Sequence, residues 1–202
     1  MLAALPPITR LILYSNALVF FLEASTGGGW MLTHLALWPL GSRFAPWQLL
    51  TYGFLHAGIG HVFFNMFAVY MFGGRMERTW GSGRFGSYYL VCLLSAGLAQ
   101  LAVGLLTGSA APSLGASGAV FGLLLAFGVT YPNERVVLLI PPIPMPAWLF
   151  VTLYGGLELV LGLSGWQPGV AHFAHLGGML GGYLLIRRWR AATQRRYDER
   201  GG

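Results

Sequence analysis

Six apolar stretches, residues 8–24, 60–72, 85–106, 117–131, 146–163 and 170–186, constrain this chain more than any other feature. A helix needs about 20 residues to cross the roughly 30 Å of bilayer hydrocarbon, and the stretches come near that length. The second is short unless its flanking residues, 57–60 and 73–76, extend it. Six spans within 202 residues leave room only for short connections and for no separate soluble domain. Composition agrees: 55% of the residues are hydrophobic and 9% are charged, against about a quarter charged in soluble domains. The expected fold is an all-α membrane protein, a six-transmembrane-helix bundle. It forms one domain over residues 1–202, with a short basic tail from about residue 187.

Charge sets the expected orientation. The net charge of +6 comes from arginine without lysine. With a cytoplasmic amino terminus, Arg10, Arg75, Arg78, Arg84, Arg135, Arg187, Arg188, Arg190, Arg195, Arg196 and Arg200 all fall inside, and only Arg43 falls outside. So strong a positive-inside bias is read as membrane topology rather than as nucleic-acid binding. No small-residue cleavage pattern follows the first apolar stretch, which is therefore read as a retained span. The connection over residues 26–56 carries Trp30, Trp38 and Trp47 and is too apolar for a solvated linker, so it is expected in the headgroup layer. The single cysteine, Cys92, lies in an apolar segment and reads as a small buried hydrophobe.

This topology gathers the polar groups on one side. His34, His56, His61, His172 and His175 all fall in the outer connection or at outer span ends, and so does Ser117, between small residues at the start of span four. A 15-residue span rises about 22 Å, which leaves Ser117 about 8 Å below the outer surface. His175 is at a similar depth, His61 and Asn65 share a helix face at i, i+4, and His172 is expected to be a partly solvated loop residue. Gly118 with Gly122, and Gly178 with Gly182, form small-xxx-small pairs that let spans four and six approach. Intramembrane ionisable groups are costly and converge for function. A serine hydroxyl next to a neutral imidazole is an activated nucleophile, and the Ser117 backbone N–H, the Asn65 amide and the His61 ring are candidate oxyanion donors. Asp198 lies in the tail, and neither Glu23 nor Glu158 has a spacing that points to His175, so a Ser-His dyad is expected rather than a triad. A metal site built from His56, His61, His172 and His175 would leave the serine motif without a role, and neither a metal nor a cofactor is expected.

Three motifs, Gly115-Ala116-Ser117-Gly118, His61-Val-Phe-Phe-Asn65 and Ala174-His175-Leu-Gly-Gly178, resemble the signatures of rhomboid intramembrane serine proteases, in the family's order. The resemblance implies a rhomboid-like bundle of the minimal six-span bacterial form in a cytoplasmic membrane, with both termini inside and the active site opening outward. It makes Ser117 the nucleophile, His175 the general base, and His61 and Asn65 the oxyanion side chains. It also makes His56 a neighbour of the water-accessible cavity and Phe121 the ring against the catalytic imidazole. Gly115, Gly118 and Gly178 support these groups, and Glu77 and Arg78 have a structural role at the inner end of span two. The implied partners are single-pass transmembrane substrates and the lipid bilayer. Gln48 stands where arginine is frequent in the family, so the usual polar anchor of the first outer loop is not expected; Phe121 stands where tyrosine is frequent. The alternatives are a catalytically inactive rhomboid-like chaperone or adaptor and, with less support, a transporter.

Overall fold

A computed structural model describes residues 5–41, 43–138, 141–165 and 170–199. The chain enters as α1 (Pro7–Thr26), whose Pro7 and Pro6 suit a helix start because the first N–H groups have no intrahelical acceptor. The outer connection contains two short helices, α2 (Gly29–Leu35) and α3 (Gln48–Thr51), the latter running into a 3₁₀ turn over Tyr52–Phe54. The direction then changes by 100° into a long helical run, Ile59–Trp80. That run comprises α4 (Ile59–Ala68), a π-helical turn (Val69–Gly73) and α5 (Gly74–Trp80). Four further helices follow: α6 (Ser82–Thr107), α7 (Ser117–Thr130), α8 (Ala147–Ser164) and α9 (His172–Asp198). A small antiparallel hairpin, β1 (Arg135–Val137) with β2 (Pro144–Pro146), joins α7 to α8.

Helices occupy all six apolar stretches, with two changes of boundary. Span two extends to Ile59–Trp80, because the π turn absorbs Gly73 without breaking the run. The helix of the sixth stretch continues to Asp198 rather than ending near residue 186, since residues 183–198 contain no glycine or proline and are rich in arginine, alanine and other helix formers. The basic tail is thus the end of a helix; Arg200 lies outside the described residues. On length and apolarity α1, α6 and α8 can each cross a membrane alone, the bent pair adds a fourth candidate, and α7 is shorter at 14 residues.

In lipid, apolar contact alone gives helices little reason to associate, so close fit and interhelical hydrogen bonds decide the packing. Here α6, α7 and α9 form the centre. A Cβ on Gly178 would fall on the backbone of Gly118, and one on Gly122 would fall on Cys92. Ala96 opposes Gly118, Ser95 opposes Gly181, and Tyr88 opposes Gly182. The buried Tyr88 hydroxyl donates to the Gly122 carbonyl at 2.7 Å, which ties α6 to α7. Cys92 lies in this seam as a buried free thiol, as expected of a small hydrophobe.

The arginine-rich end is held by polar contacts. The Glu77 carboxylate accepts from the Ile8 N–H at 2.9 Å, from the Thr9 N–H and hydroxyl at 2.7 Å each, and from the Ser82 hydroxyl at 2.6 Å. An anion at the start of α1 also complements the helix dipole. Arg75 pairs with Glu134 at 2.6 Å and lies over the Tyr131 ring, while Arg84 lies over Trp189.

Candidate active site

The serine motif is shaped by the outer connection as much as by the helix that follows it. Leu37 and Ser113 exchange two backbone hydrogen bonds of 2.9 Å, and the Gly115 N–H donates to the Tyr52 carbonyl at 2.9 Å. Tyr52 is itself fixed by its hydroxyl on the Leu93 carbonyl at 2.7 Å. Gly115 has φ +120°, a backbone state that residues with a Cβ rarely adopt. Ser117 then opens α7, where N–H groups have no intrahelical acceptor.

Gln48 stabilises this connection, contrary to the expectation that the loop lacks its polar anchor. The side chain is buried. Its Oε1 accepts from the Trp38 and Ala45 N–H groups, both at 3.2 Å, and its Nε2 donates to the Arg43 carbonyl at 3.0 Å. An amide both donates and accepts, so it closes a loop whose free backbone groups are of both kinds.

The two glycine faces of α7 and α9 meet, and Ser117 Oγ lies 2.8 Å from His175 Nε2. Phe121, one turn along α7, stacks on the His175 ring with centroids 4.3 Å apart and planes 8° from parallel. A third group enters from α8. Glu158 Oε2 lies 2.8 Å from His175 Nδ1 and 2.7 Å from His172 Nδ1. A carboxylate thus stands on the side of the imidazole opposite the serine, although the spacing of Glu158 in the sequence did not point to His175. His172 is corrected, because it is buried at 5% exposure and opens α9 instead of lying in a solvated loop.

Across the cleft, His61 and Asn65 share a face of α4, and Asn65 Nδ2 donates to the His61 carbonyl at 2.9 Å. The Ala57 N–H donates to His61 Nδ1 at 3.4 Å, so the neutral ring carries its proton on Nε2. That nitrogen faces Gly115, where an added Cβ would be only 2.8 Å away. His56, in the turn before α4, meets the His61 ring edge-on at 4.9 Å. His56 is buried, and its Nδ1 lies 3.3 Å from the Phe54 carbonyl. His56 and Glu23 help line a cavity of about 550 Å³. His34 stays apart, stacked on Trp30 at 4.7 Å.

A family model for the Rhomboid domain matches residues 43–190. The chain belongs to the rhomboid family. Among similar proteins, RHOMBOID-like protein 6, mitochondrial, of Arabidopsis thaliana is 35% identical over 144 residues, which cover 69% of this chain and 42% of that protein. Rhomboid protease GluP of Bacillus subtilis is 30% identical over 185 residues, 89% of this chain and 34% of its own. Rhomboid protein 1, mitochondrial, of Saccharomyces cerevisiae is 32% identical over 133 residues, 65% of this chain and 38% of its own. The chain thus spans well under half of these relatives' lengths. Membership with these apolar helices makes it an integral membrane protein.

Within this rhomboid, the metal-capable cluster among the described residues is Glu158, His172 and His175, not the histidine set considered from sequence. Its nitrogen-to-oxygen distances of 2.7 and 2.8 Å are those of hydrogen bonds. Tetrahedral ligands about 2.1 Å from zinc stand roughly 3.4 Å apart. Two members of the cluster, Glu158 and His172, were named from sequence but not joined to His175; the one available signal was an intramembrane carboxylate without an assigned partner.

Proposed function

We propose that this rhomboid is an intramembrane serine endopeptidase that cleaves single-pass transmembrane proteins near the outer end of their helices. The observation that carries this reading is the 2.8 Å contact between Ser117 Oγ and His175 Nε2, on two chain-distant helices held together by a glycine seam. As Ser117 Oγ bonds to the scissile carbonyl carbon, its proton passes to Nε2 and then to the departing amine nitrogen as the C–N bond breaks. Water then adds to the acyl carbon, Nε2 takes its proton, and the C–Oγ bond breaks with that proton returned to the serine. The oxyanion is met by the Ser117 N–H, the His61 Nε2–H and the Asn65 amide. In this reading the arginine-rich helix ends face the side on which positive charge is retained, and the catalytic end faces the opposite side of the membrane.

The test uses purified protein and a single-pass reporter with small residues at the outer end of its helix. Ser117→Ala and His175→Ala are each expected to abolish cleavage. Retained cleavage by either variant sinks the assignment.

A further inference from the structure

We propose that Glu158 is a positioning residue for the base, holding His175 in the tautomer that accepts the Ser117 proton and countering the charge that forms on its ring, while His172 pins that carboxylate in place. This inference rests on the serine-protease reading and adds to it a group from α8.

An ionised carboxylate only accepts hydrogen bonds, so both ring nitrogens that meet Glu158 Oε2 must carry hydrogen. His175 then has its proton on Nδ1, and its free lone pair on Nε2 points at the Ser117 hydroxyl. The opposite tautomer would set two donors against the serine and leave Oε2 facing a lone pair. Ser117, His175 and Glu158 therefore form one directed chain across three helices.

His172 makes the carboxylate's position specific. It is one turn before His175 on α9, and its Nδ1 reaches the same oxygen. Its Nε2 is buried without a hydrogen-bond partner among the described residues. Nδ1 is thus the ring atom through which His172 donates to the carboxylate. Two donors on one oxygen fix Glu158 more tightly than one.

The carboxylate also changes the reaction. Glu158 is 8% exposed, and an isolated charge at such a site is unfavourable. When His175 takes the serine proton, an imidazolium appears 2.8 Å from that carboxylate, and a hydrogen bond with one charged partner becomes an ion pair. The stabilisation is greatest where charge develops, so it acts on kcat and not on substrate binding.

Three measurements test this. With the reporter, Glu158→Gln is expected to lower kcat at least about 10²-fold with KM changed less than about 3-fold, and Glu158→Asp to recover part of the loss. Labelling of Ser117 by a fluorophosphonate, which needs the same base but no docked helix, should slow in parallel at an unchanged melting temperature. Nitrogen-15 histidine spectra of the unmodified chain should show His175 and His172 protonated at Nδ1 and bare at Nε2; this readout needs no variant to fold. A wild-type kcat and labelling rate for Glu158→Gln, or a His175 proton on Nε2, overturns the inference. Cleavage retained in Ser117→Ala would instead overturn the protease reading, and slowed labelling in Glu158→Gln would still report the Glu158 relay.

Discussion

Adding one methyl group at Gly115 should disable the oxyanion side of the site and leave the nucleophile intact. In Gly115→Ala the new Cβ would lie 2.6 Å from His61 Cε1 and 2.8 Å from Nε2. Carbon atoms rest in contact at about 3.5 Å, so the ring must retreat by roughly 0.9 Å. The backbone adds its own penalty, since φ +120° with a side chain costs on the order of 1–3 kcal/mol. Loss of one oxyanion donor lowers kcat by about 10²–10³-fold, and that is the expected fall for reporter cleavage. Fluorophosphonate still labels Ser117, because the contact with His175 is untouched. A double-mutant cycle isolates the steric part: in a His61→Ala background, Gly115→Ala should cost less than about 10-fold further. Wild-type cleavage by Gly115→Ala, or a full 10²-fold further loss in the double variant, refutes the reasoning.

Gly178→Ala should separate α7 from α9, because its Cβ falls on the Gly118 backbone; loss of cleavage and a destabilisation of about 3 kcal/mol or more are expected in thermal unfolding. Gly156→Ala, with open space around it on α8, is the control and should be neutral or stabilising by up to about 1 kcal/mol. Glu77→Gln removes a charge that accepts four hydrogen bonds, and should lower stability by about 2–3 kcal/mol while leaving the Ser117 labelling rate unchanged at the folded protein's working temperature.

The helices were legible because each apolar stretch is long, and because proline or glycine marks most of their ends. Ser117, His175, His61 and Asn65 were legible because each lies in a short local motif whose spacing has a chemical reason. Glu158 was not. Its reach to His175 depends on how α8 rotates and leans against α9, and nothing along the sixteen intervening residues encodes that angle. His172 was misjudged for a related reason: it stands at the helix boundary, where one residue decides between solvent and interior. Gln48 was underrated because a neutral side chain was compared with the charge of an arginine, whereas the loop needed a donor and an acceptor in one place. The basic end of α9 read as a tail because hydropathy ends there, although helix propensity does not.

On the proposed protease reading, the paired backbone hydrogen bonds between Leu37 and Ser113, and that from Gly115 to Tyr52, have a consequence for where a substrate would be cut. Trp30 and Trp47 are 66% and 58% exposed on the same connection, and indole rings seek the level of the lipid headgroups. The connection is in effect a float, and the nucleophile hangs from it at a set draught. Helix α7 determines which way Ser117 faces, whereas the float determines how far below the waterline it works.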